Sequence, residues 1–193
     1  MNQTSHNQLQ PTLWRTCRVL ANRQRLNILE ELMKQPGQTV TEVALRIGIA
    51  TALASRHLRD LNARGLLKAS RENRWVRYRP CADPTVPQAP RLVQALRETF
   101  ARQPKPIDFI FRMATAFTHP RRVQIVRALA AGPLDCGDLR SVTSISLPAI
   151  MRHLRKLRDR GFVATDPAGR YGLVRQESPL GVDLLRLAGP STS

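Results

Sequence analysis

A chain of 193 residues, 42% of them hydrophobic, is long enough to bury one large core or two small ones. Its 31 Lys and Arg residues against 14 Asp and Glu give a formal charge of +17, which favours nucleic acid as partner ahead of an anionic membrane surface or an acidic protein. No apolar run reaches the ~18 residues that a membrane helix needs and the start is polar, so we expect no membrane partner and a cytoplasmic, nucleoid-associated protein.

The sequence also argues against a catalytic or metal site. Its three cysteines, Cys17, Cys81 and Cys136, are too far apart for a disulfide framework or a Cys-x-x-Cys pair, so we expect buried small side chains. The sequence has no paired carboxylates, Ser-His-Asp set, phosphate-binding loop or metal-ligand cluster. We therefore expect no enzyme activity, no catalytic residues, no metal and no cofactor.

The chain begins with residues 1–11, which are polar and aperiodic and are predicted to form a disordered arm. A first helix is predicted over residues 13–21, and Asn22 is the expected N-cap of a second. The apolar stripe of this second helix consists of Leu26, Ile28, Leu29, Leu32 and Met33. Thr39 and Glu42 have the spacing of a capping box and open a short helix that closes at Gly48.

The next predicted helix, from Ala50 to Gly65, has two unlike faces. Its apolar face comprises Leu53, Ala54, Leu58 and Leu61, with His57 beside them. The opposite face comprises Ala52, Ser55, Arg56 and Arg59. Two β-forming segments, 66–70 and 74–79, follow as a hairpin. Helix, helix, short helix, turn, helix and hairpin is the order of a winged helix-turn-helix domain, predicted over residues 12–80.

Residues 81–106 are rich in proline and are predicted to be a stiff linker that contains one helix at about 91–102. The order of elements then begins again over residues 107–176. His119-Pro120 starts the second helix of this unit, and Ser146 is expected to cap its arginine-faced helix. A hairpin of segments 162–165 and 170–174 follows. Residues 177–193 are predicted to hold a C-terminal helix and a tail.

The two units are copies of one another. Apolar residues of the second helix recur at a spacing of 97: Val123, Ile125, Val126 and Leu129 repeat Leu26, Ile28, Leu29 and Leu32. On the arginine-faced helices the spacing is 96: Arg152-His153-Leu154-Arg155 repeats Arg56-His57-Leu58-Arg59. The change from 97 to 96 requires only one residue fewer in a loop. The predicted fold is therefore mainly α with small β-hairpin wings, built from two tandem winged helix-turn-helix domains.

Two stretches carry a family resemblance. They are Ser146-Leu147-Pro148-Ala149-Ile150-Met151-Arg152-His153-Leu154 and, before it, His119-Pro120-Arg121-Arg122-Val123-Gln124-Ile125-Val126. They resemble the ArsR/SmtB-like group of bacterial winged-helix transcriptional regulators, and the likeness extends over about residues 12–80 and 107–176. The resemblance implies a DNA-binding repressor or activator, usually a dimer held by its first and last helices.

The chain departs from the metal-sensing members of the group that it resembles. Those members typically carry a Cys-x-Cys motif at the start of the short helix. Here the corresponding segments are Val40-Thr41-Glu42-Val43 and Cys136-Gly137-Asp138-Leu139. A single cysteine cannot hold a metal by itself, so the sequence argues against metal sensing. For His57 and His153 we expect half-buried packing, or a phosphate contact, rather than metal ligation.

Candidate DNA-binding residues lie on the arginine-faced helices and on the wings. On the first helix they are Thr51, Ser55, Arg56 and Arg59, and on the first wing Arg71, Arg74, Arg77 and Arg79. The second copy offers Arg152, Arg155, Lys156 and Arg170. Leu147 and Met151 replace polar readers there, which indicates either thymine-methyl contacts or a copy that only positions the protein. Trp75 and Tyr78 are expected to anchor the first hairpin to the core.

The sequence thus predicts a sequence-specific regulator of double-stranded DNA. Residues 13–80 hold 14 basic and 5 acidic residues and residues 107–176 hold 12 and 5, so both copies stay basic. The first helices, the linker helix and the last helix are expected to form an internal pseudo-dimer that presents two recognition helices to successive major grooves. A homodimer through the same helices remains open. An architectural or replication-associated protein with little sequence preference is the alternative function.

Overall fold

The computed structural model describes residues 12–189 of the chain. The first repeat consists of α1 (Leu13–Leu20), α2 (Arg23–Lys34), β1 (Gln38–Thr39), α3 (Val40–Ile47), α4 (Thr51–Asn62), β2 (Lys68–Glu72) and β3 (Trp75–Arg79). Helix α5 (Ala89–Arg102) follows. The second repeat consists of α6 (Pro106–Ala116), α7 (Pro120–Leu129), α8 (Cys136–Thr143), α9 (Leu147–Asp159), β4 (Val163–Thr165), β5 (Tyr171–Leu173) and α10 (Pro179–Ala188). The predicted fold class, mainly α with two small hairpins, is confirmed.

Side-chain caps start several helices where the sequence indicated them. The backbone N–H of Arg25 donates to Asn22 Oδ1 at 3.0 Å, and Thr39 and Glu42 form the expected reciprocal capping box of α3. Asp135 and Asp138 form the same box at the start of α8, which the sequence analysis missed because both partners are aspartate. Ser146 occupies the N-cap position of α9, but its side chain makes no capping hydrogen bond, so its predicted role was wrong.

Both arginine-faced helices, α4 and α9, end in the same glycine motif. Gly65 and Gly161 adopt left-handed conformations, with φ of 69° and 79°. The chain then folds back, so that the N–H of Leu66 donates to the carbonyl of Leu61 at 3.1 Å and the N–H of Phe162 to that of Leu157 at 3.0 Å. This six-residue closure, the Schellman motif, satisfies carbonyl groups that a helix end would leave unpaired.

Each repeat contains an antiparallel hairpin, and each hairpin has a short additional partner that the sequence analysis missed. In the first repeat β1 pairs with β3, so the strand order is β1–β3–β2. In the second, Leu134 forms an isolated bridge to Tyr171 of β5. Strand β2, the first strand of the first hairpin, begins at Lys68 rather than at residue 66, because Leu66 and Leu67 are fully buried in the turn that follows α4.

The two repeats share one hydrophobic core. Helix α1 packs on its counterpart α6, α5 packs on α10, and α2 and α1 contact α6 and α7 respectively. Ion pairs join the same elements, from Arg23 to Asp108 at 2.6 Å and from Arg91 to Asp183 at 3.7 Å. Because α5 buries an apolar face against α6 and α10, the proline-rich segment contributes to the core as well as connecting the repeats.

Two expectations about single side chains need correction, and two predicted terminal segments lie outside the described residues. Cys17 is buried as expected. Cys81 is exposed because it follows the first hairpin, and Cys136 is only partly covered because it is the first residue of α8. Tyr78 is buried and anchors the first hairpin, whereas Trp75 is 47% exposed at its tip and does not. The predicted arm at residues 1–11 and the last residues of the tail, 190–193, lie outside the described part of the chain.

Candidate nucleic-acid interface

Helix α4 presents one polar face to solvent. Ala54, His57, Leu58 and Leu61 are buried in the core, as the periodicity predicted, except that His57 is more completely buried than expected. Of the candidate DNA-binding residues, Thr51, Arg56 and Arg59 are exposed and Ser55 is partly exposed. The side chain of Arg59 bends back along its own helix, where Nε–H donates to the Ser55 carbonyl at 3.3 Å. The structure therefore brings the four candidates together on one surface of α4.

Helix α9 repeats this arrangement with a different chemistry. Its buried face is formed by Ala149, Ile150, His153, Leu154 and Leu157. On the outer face Arg152 and Arg155 are exposed and Lys156 is partly exposed. Leu147 and Met151 are 39% and 51% exposed on that face. The second recognition helix thus offers cations and two apolar side chains where the first offers cations and hydroxyls.

In each repeat one arginine, Arg25 or Arg122, binds the end of the preceding helix, and we call it the locking arginine. The sequence analysis did not assign it a role. In the first repeat, Nε–H and Nη2–H of Arg25 donate to the carbonyls of Val19 and Arg18, at 2.7 and 3.2 Å. In the second, Arg122 donates in the same way to the carbonyls of Ala116 and Thr115. Each arginine thereby binds the end of the preceding helix, whose last carbonyls lack helical partners. The spacing of 97 between the two arginines, equal to that of the apolar stripe, was the available signal.

On the first wing, two of the four candidate arginines are engaged within the hairpin. Glu72 accepts from Arg79 at 2.6 Å and lies 3.3 Å from Arg77. The hydrogen bond from Arg79 is the main reason why the pKa of the Glu72 carboxyl lies below its usual range. Arg71 and Arg74 are exposed at the tip, where the guanidinium of Arg74 lies over the Trp75 ring at 5.1 Å. The freely available positive charge of this wing is therefore concentrated at its tip.

The second wing carries one candidate, Arg170, and it is also paired. Its Nε lies 3.0 Å from Asp166 Oδ2, across the turn between β4 and β5. Asp166 additionally accepts the backbone N–H groups of Arg170 and Ala168, and the hydrogen bond from the Arg170 backbone is the main reason why the pKa of its carboxyl lies below the usual range. This hairpin therefore presents less free positive charge than the first one.

Comparison with known families shows what the two units are similar to. Residues 119–165 match the model of the bacterial regulatory proteins of the arsR family, and residues 22–68 match a model of winged helix-turn-helix DNA-binding domains. The chain carries two tandem winged helix-turn-helix domains, and the second is similar to the bacterial regulatory proteins of the arsR family. It is accordingly a DNA-binding regulator. Comparison with curated proteins gave no match.

The histidine on each arginine-faced helix is buried in the core. His57 and His153 are 5% and 4% exposed. The His57 Nε2 atom is 3.4 Å from Gln24 Oε1, and the His153 ring packs on His119 with centroids 4.6 Å apart. Burial lowers the pKa of His57, and burial together with the neighbouring His119 lowers the pKa of His153 to about 4. Both rings are therefore neutral at neutral pH.

Neither a metal-binding cluster nor a helix fit to span a membrane occurs among the described residues. Over residues 12–189, no group of three or more His, Cys, Asp or Glu side chains is placed to hold a metal ion. The Cys136 thiol has the Met151 thioether as its sulfur neighbour, at 3.4 Å. No helix in this range is both long and apolar enough to cross a bilayer. The matched family models describe DNA-binding domains, not enzymes.

Proposed function

We propose that this ArsR-like protein is a sequence-specific transcriptional regulator of double-stranded DNA, which inserts α4 and α9 into the major groove. The observation that carries the proposal is the exposure of matching arginine pairs, Arg56 with Arg59 and Arg152 with Arg155, on two helices whose opposite faces share one core. A helix of this kind fits the major groove, and arginine can grip guanine there with two hydrogen bonds.

The pairing of charges over residues 12–189 supports this assignment. Arginines on the supporting elements, such as Arg23, Arg25 and Arg79, form ion pairs with carboxylates. In the same range, no carboxylate lies within ion-pair distance of Arg56 and Arg59 on α4 or of Arg152 and Arg155 on α9. Positive charge without an internal partner favours an external anion, and DNA supplies one.

Around each recognition helix, the remaining candidates suit backbone contacts. Arg71 and Arg74 project from the tip of the first hairpin, where phosphates or the minor groove would lie. Arg77, Arg79 and Arg170 are already paired with carboxylates, so their contribution to DNA affinity is expected to be smaller. Lys156 lies at the edge of α9 and contributes charge rather than base reading.

We further propose that one chain does the work of a dimer. Counterparts pair with each other, α1 with α6 and α5 with α10, as the matching surfaces of a two-fold dimer do. In this arrangement the two recognition helices address successive major grooves, about 34 Å apart. Because the outer faces of α4 and α9 differ, the preferred site is non-palindromic. A homodimer through α1, α5 and α10 would instead require a dyad-symmetric site.

One observation favours the second candidate, an architectural or replication-associated protein. Leu147 and Met151 are exposed on α9 at positions where polar side chains could hydrogen-bond to base edges. Apolar side chains recognise few base features other than the methyl group of thymine. If α9 only positions the protein, base reading rests on α4 alone. Competition against random duplex at ~150 mM salt separates the two functions, because a specific regulator retains a preference of ~10³-fold or more.

The experiment that tests the proposal starts with selection of bound fragments from random duplex DNA, followed by affinity measurements on the selected site. We expect Arg56→Gln and Arg59→Gln each to weaken binding by about 1–3 kcal/mol and to relax the preference at one base pair. Arg127→Gln, on the exposed side of α7 and without a carboxylate partner among the described residues, is the matched control and should bind within twofold of the wild type. Equal losses in all three variants would contradict a reading role for α4.

A further inference from the structure

Because the chain is duplicated, the locking arginine of the first repeat, Arg25, can be compared with its counterpart in the second repeat, Arg122. In the first repeat, Arg25 Nη1 donates to Asp60 of α4 at 3.0 Å, so the guanidinium has its own carboxylate. At the spacing of 96, the counterpart of Asp60 on α9 is Lys156. No carboxylate within residues 12–189 forms an ion pair with Arg122, and its Nη1 donates to none of the described residues. The second repeat has therefore exchanged an internal anion for another cation.

A cavity of about 390 Å³ lies at this position, between the start of α7 and the middle of α9. We call it the basic cavity. Its lining consists of Arg122, Arg152, Arg155, Lys156, His119 and His153, with Asp159 as the one carboxylate. Asp159 is exposed and forms no ion pair with the described cations. Four cationic side chains thus converge on one space with little internal compensation.

Two of the lining side chains are buried and incompletely satisfied. Arg122 is 9% exposed, with Nε and Nη2 held by the carbonyls at the end of α6. His153 is 4% exposed, and its Nε2 atom has no hydrogen-bond partner. Buried polar groups normally have partners, so the Nη1 of the buried Arg122, unpaired among the described residues and at the wall of this cavity, indicates a ligand that would complete it. Here the ligand must accept hydrogen bonds and carry negative charge.

We propose that the basic cavity is an anion site that binds a phosphate group, in the place that the Asp60 carboxylate fills in the first repeat. Several tetrahedrally placed oxygens can accept from the lining cations Arg122, Arg152 and Lys156 together, whereas one carboxylate would leave donors unpaired. His119, the N-cap of the ten-residue helix α7, lines the same space, so the positive end of the helix dipole adds potential there. The phosphate is either a backbone group of bound DNA or a free phosphate compound.

Calorimetric titration of the full chain with inorganic phosphate, without DNA, tests the site. We expect one saturable site in the wild type, and at least tenfold weaker binding in Lys156→Asp, which restores the residue of the first repeat and supplies Arg122 with a carboxylate. Lys105→Asp, the same substitution at an exposed position before α6, should bind within twofold of the wild type. Should Lys156→Asp fail to fold, Lys156→Gln removes the charge alone and should bind several-fold more weakly.

Equal phosphate binding in wild type and Lys156→Asp would mean an adventitious ion only and would overturn the proposal, as would the absence of saturable binding. Duplex DNA then identifies the source of the phosphate. A backbone phosphate is supported if Lys156→Asp lowers the salt slope of DNA binding by about 0.9 and inorganic phosphate competes with duplex. A free phosphate compound is supported if the slope is unchanged. Because the first titration contains no DNA, its result is independent of the proposed regulatory function.

Discussion

Glu72 is expected to restrain DNA binding by the first wing. Its carboxylate contacts Arg79 at 2.6 Å and Arg77 at 3.3 Å, on the strand that faces it across the hairpin. Replacing it with glutamine removes the charge and keeps the shape. Arg77 retains the Gly37 carbonyl at 2.7 Å and Glu42 at 3.6 Å, whereas the one hydrogen-bond partner that Arg79 keeps within residues 12–189 is Ser70 Oγ. The substitution therefore frees one guanidinium, that of Arg79, for a phosphate.

The size of the effect follows from the number of phosphates that gain a partner. One additional phosphate contact steepens the dependence of log affinity on log salt by about 0.9. Between 50 and 200 mM salt, such a slope adds a roughly threefold further loss of affinity, so the tightening of binding should be about threefold greater at the lower concentration. Because the paired side chains are nearly half exposed, we expect the unfolding midpoint to stay close to that of the wild type.

The assay is fluorescence anisotropy with a labelled duplex, measured at several salt concentrations. Glu177→Gln serves as the matched control, since it also removes one negative charge from an exposed position but has no arginine partner among the described residues. An unchanged salt slope in Glu72→Gln, or an equal rise in the control, would refute the reasoning. The first result would mean that Arg79 does not reach DNA, and the second that only net charge matters.

Two further predictions concern the fold. Gly65→Ala should cost about 2–4 kcal/mol in the free energy of unfolding, since the left-handed conformation costs about 1 kcal/mol and overpacking adds 1–3, the new Cβ lying 2.9 Å from Val86 Cβ. Gly161→Ala, which has open space around it, should cost about 1 kcal/mol in the same urea unfolding experiment. Equal losses in the two variants would contradict the close packing of Val86, before α5, on Gly65. Because the pKa of His153 is lowered to about 4 from 6.5, the unfolded state binds more protons in that window, and stability falls as the pH drops through it. The loss should reach about 2 kcal/mol after allowance for screening and should be smaller in His153→Gln, as measured by urea unfolding at several pH values; parallel curves would exclude the histidine.

Much of the fold could be predicted from the sequence because it depends on local periodicity. Apolar residues at helical spacing, the Asn22 cap and the Thr39–Glu42 box placed the helices within a few residues of their observed bounds. The family matches at 22–68 and 119–165 agree with the predicted tandem arrangement. Weak signals were missed, namely the two-residue strand β1, the bridge at Leu134 and the cap at Asp135. Such elements depend on what the chain packs against rather than on their own pattern.

The sequence by itself determined the duplication, the two arginine-bearing helix faces and the basic charge of both repeats, since spacing and composition belong to the chain in any conformation. Only the tertiary structure decided which cations are free. Pairing of Arg79 with Glu72 needs two strands brought together, and the loss of the Arg25–Asp60 pair in the second repeat is visible only where Arg122 meets Lys156. Electrostatic energy depends on distance in space, and residues 34 or 35 positions apart become neighbours only after folding.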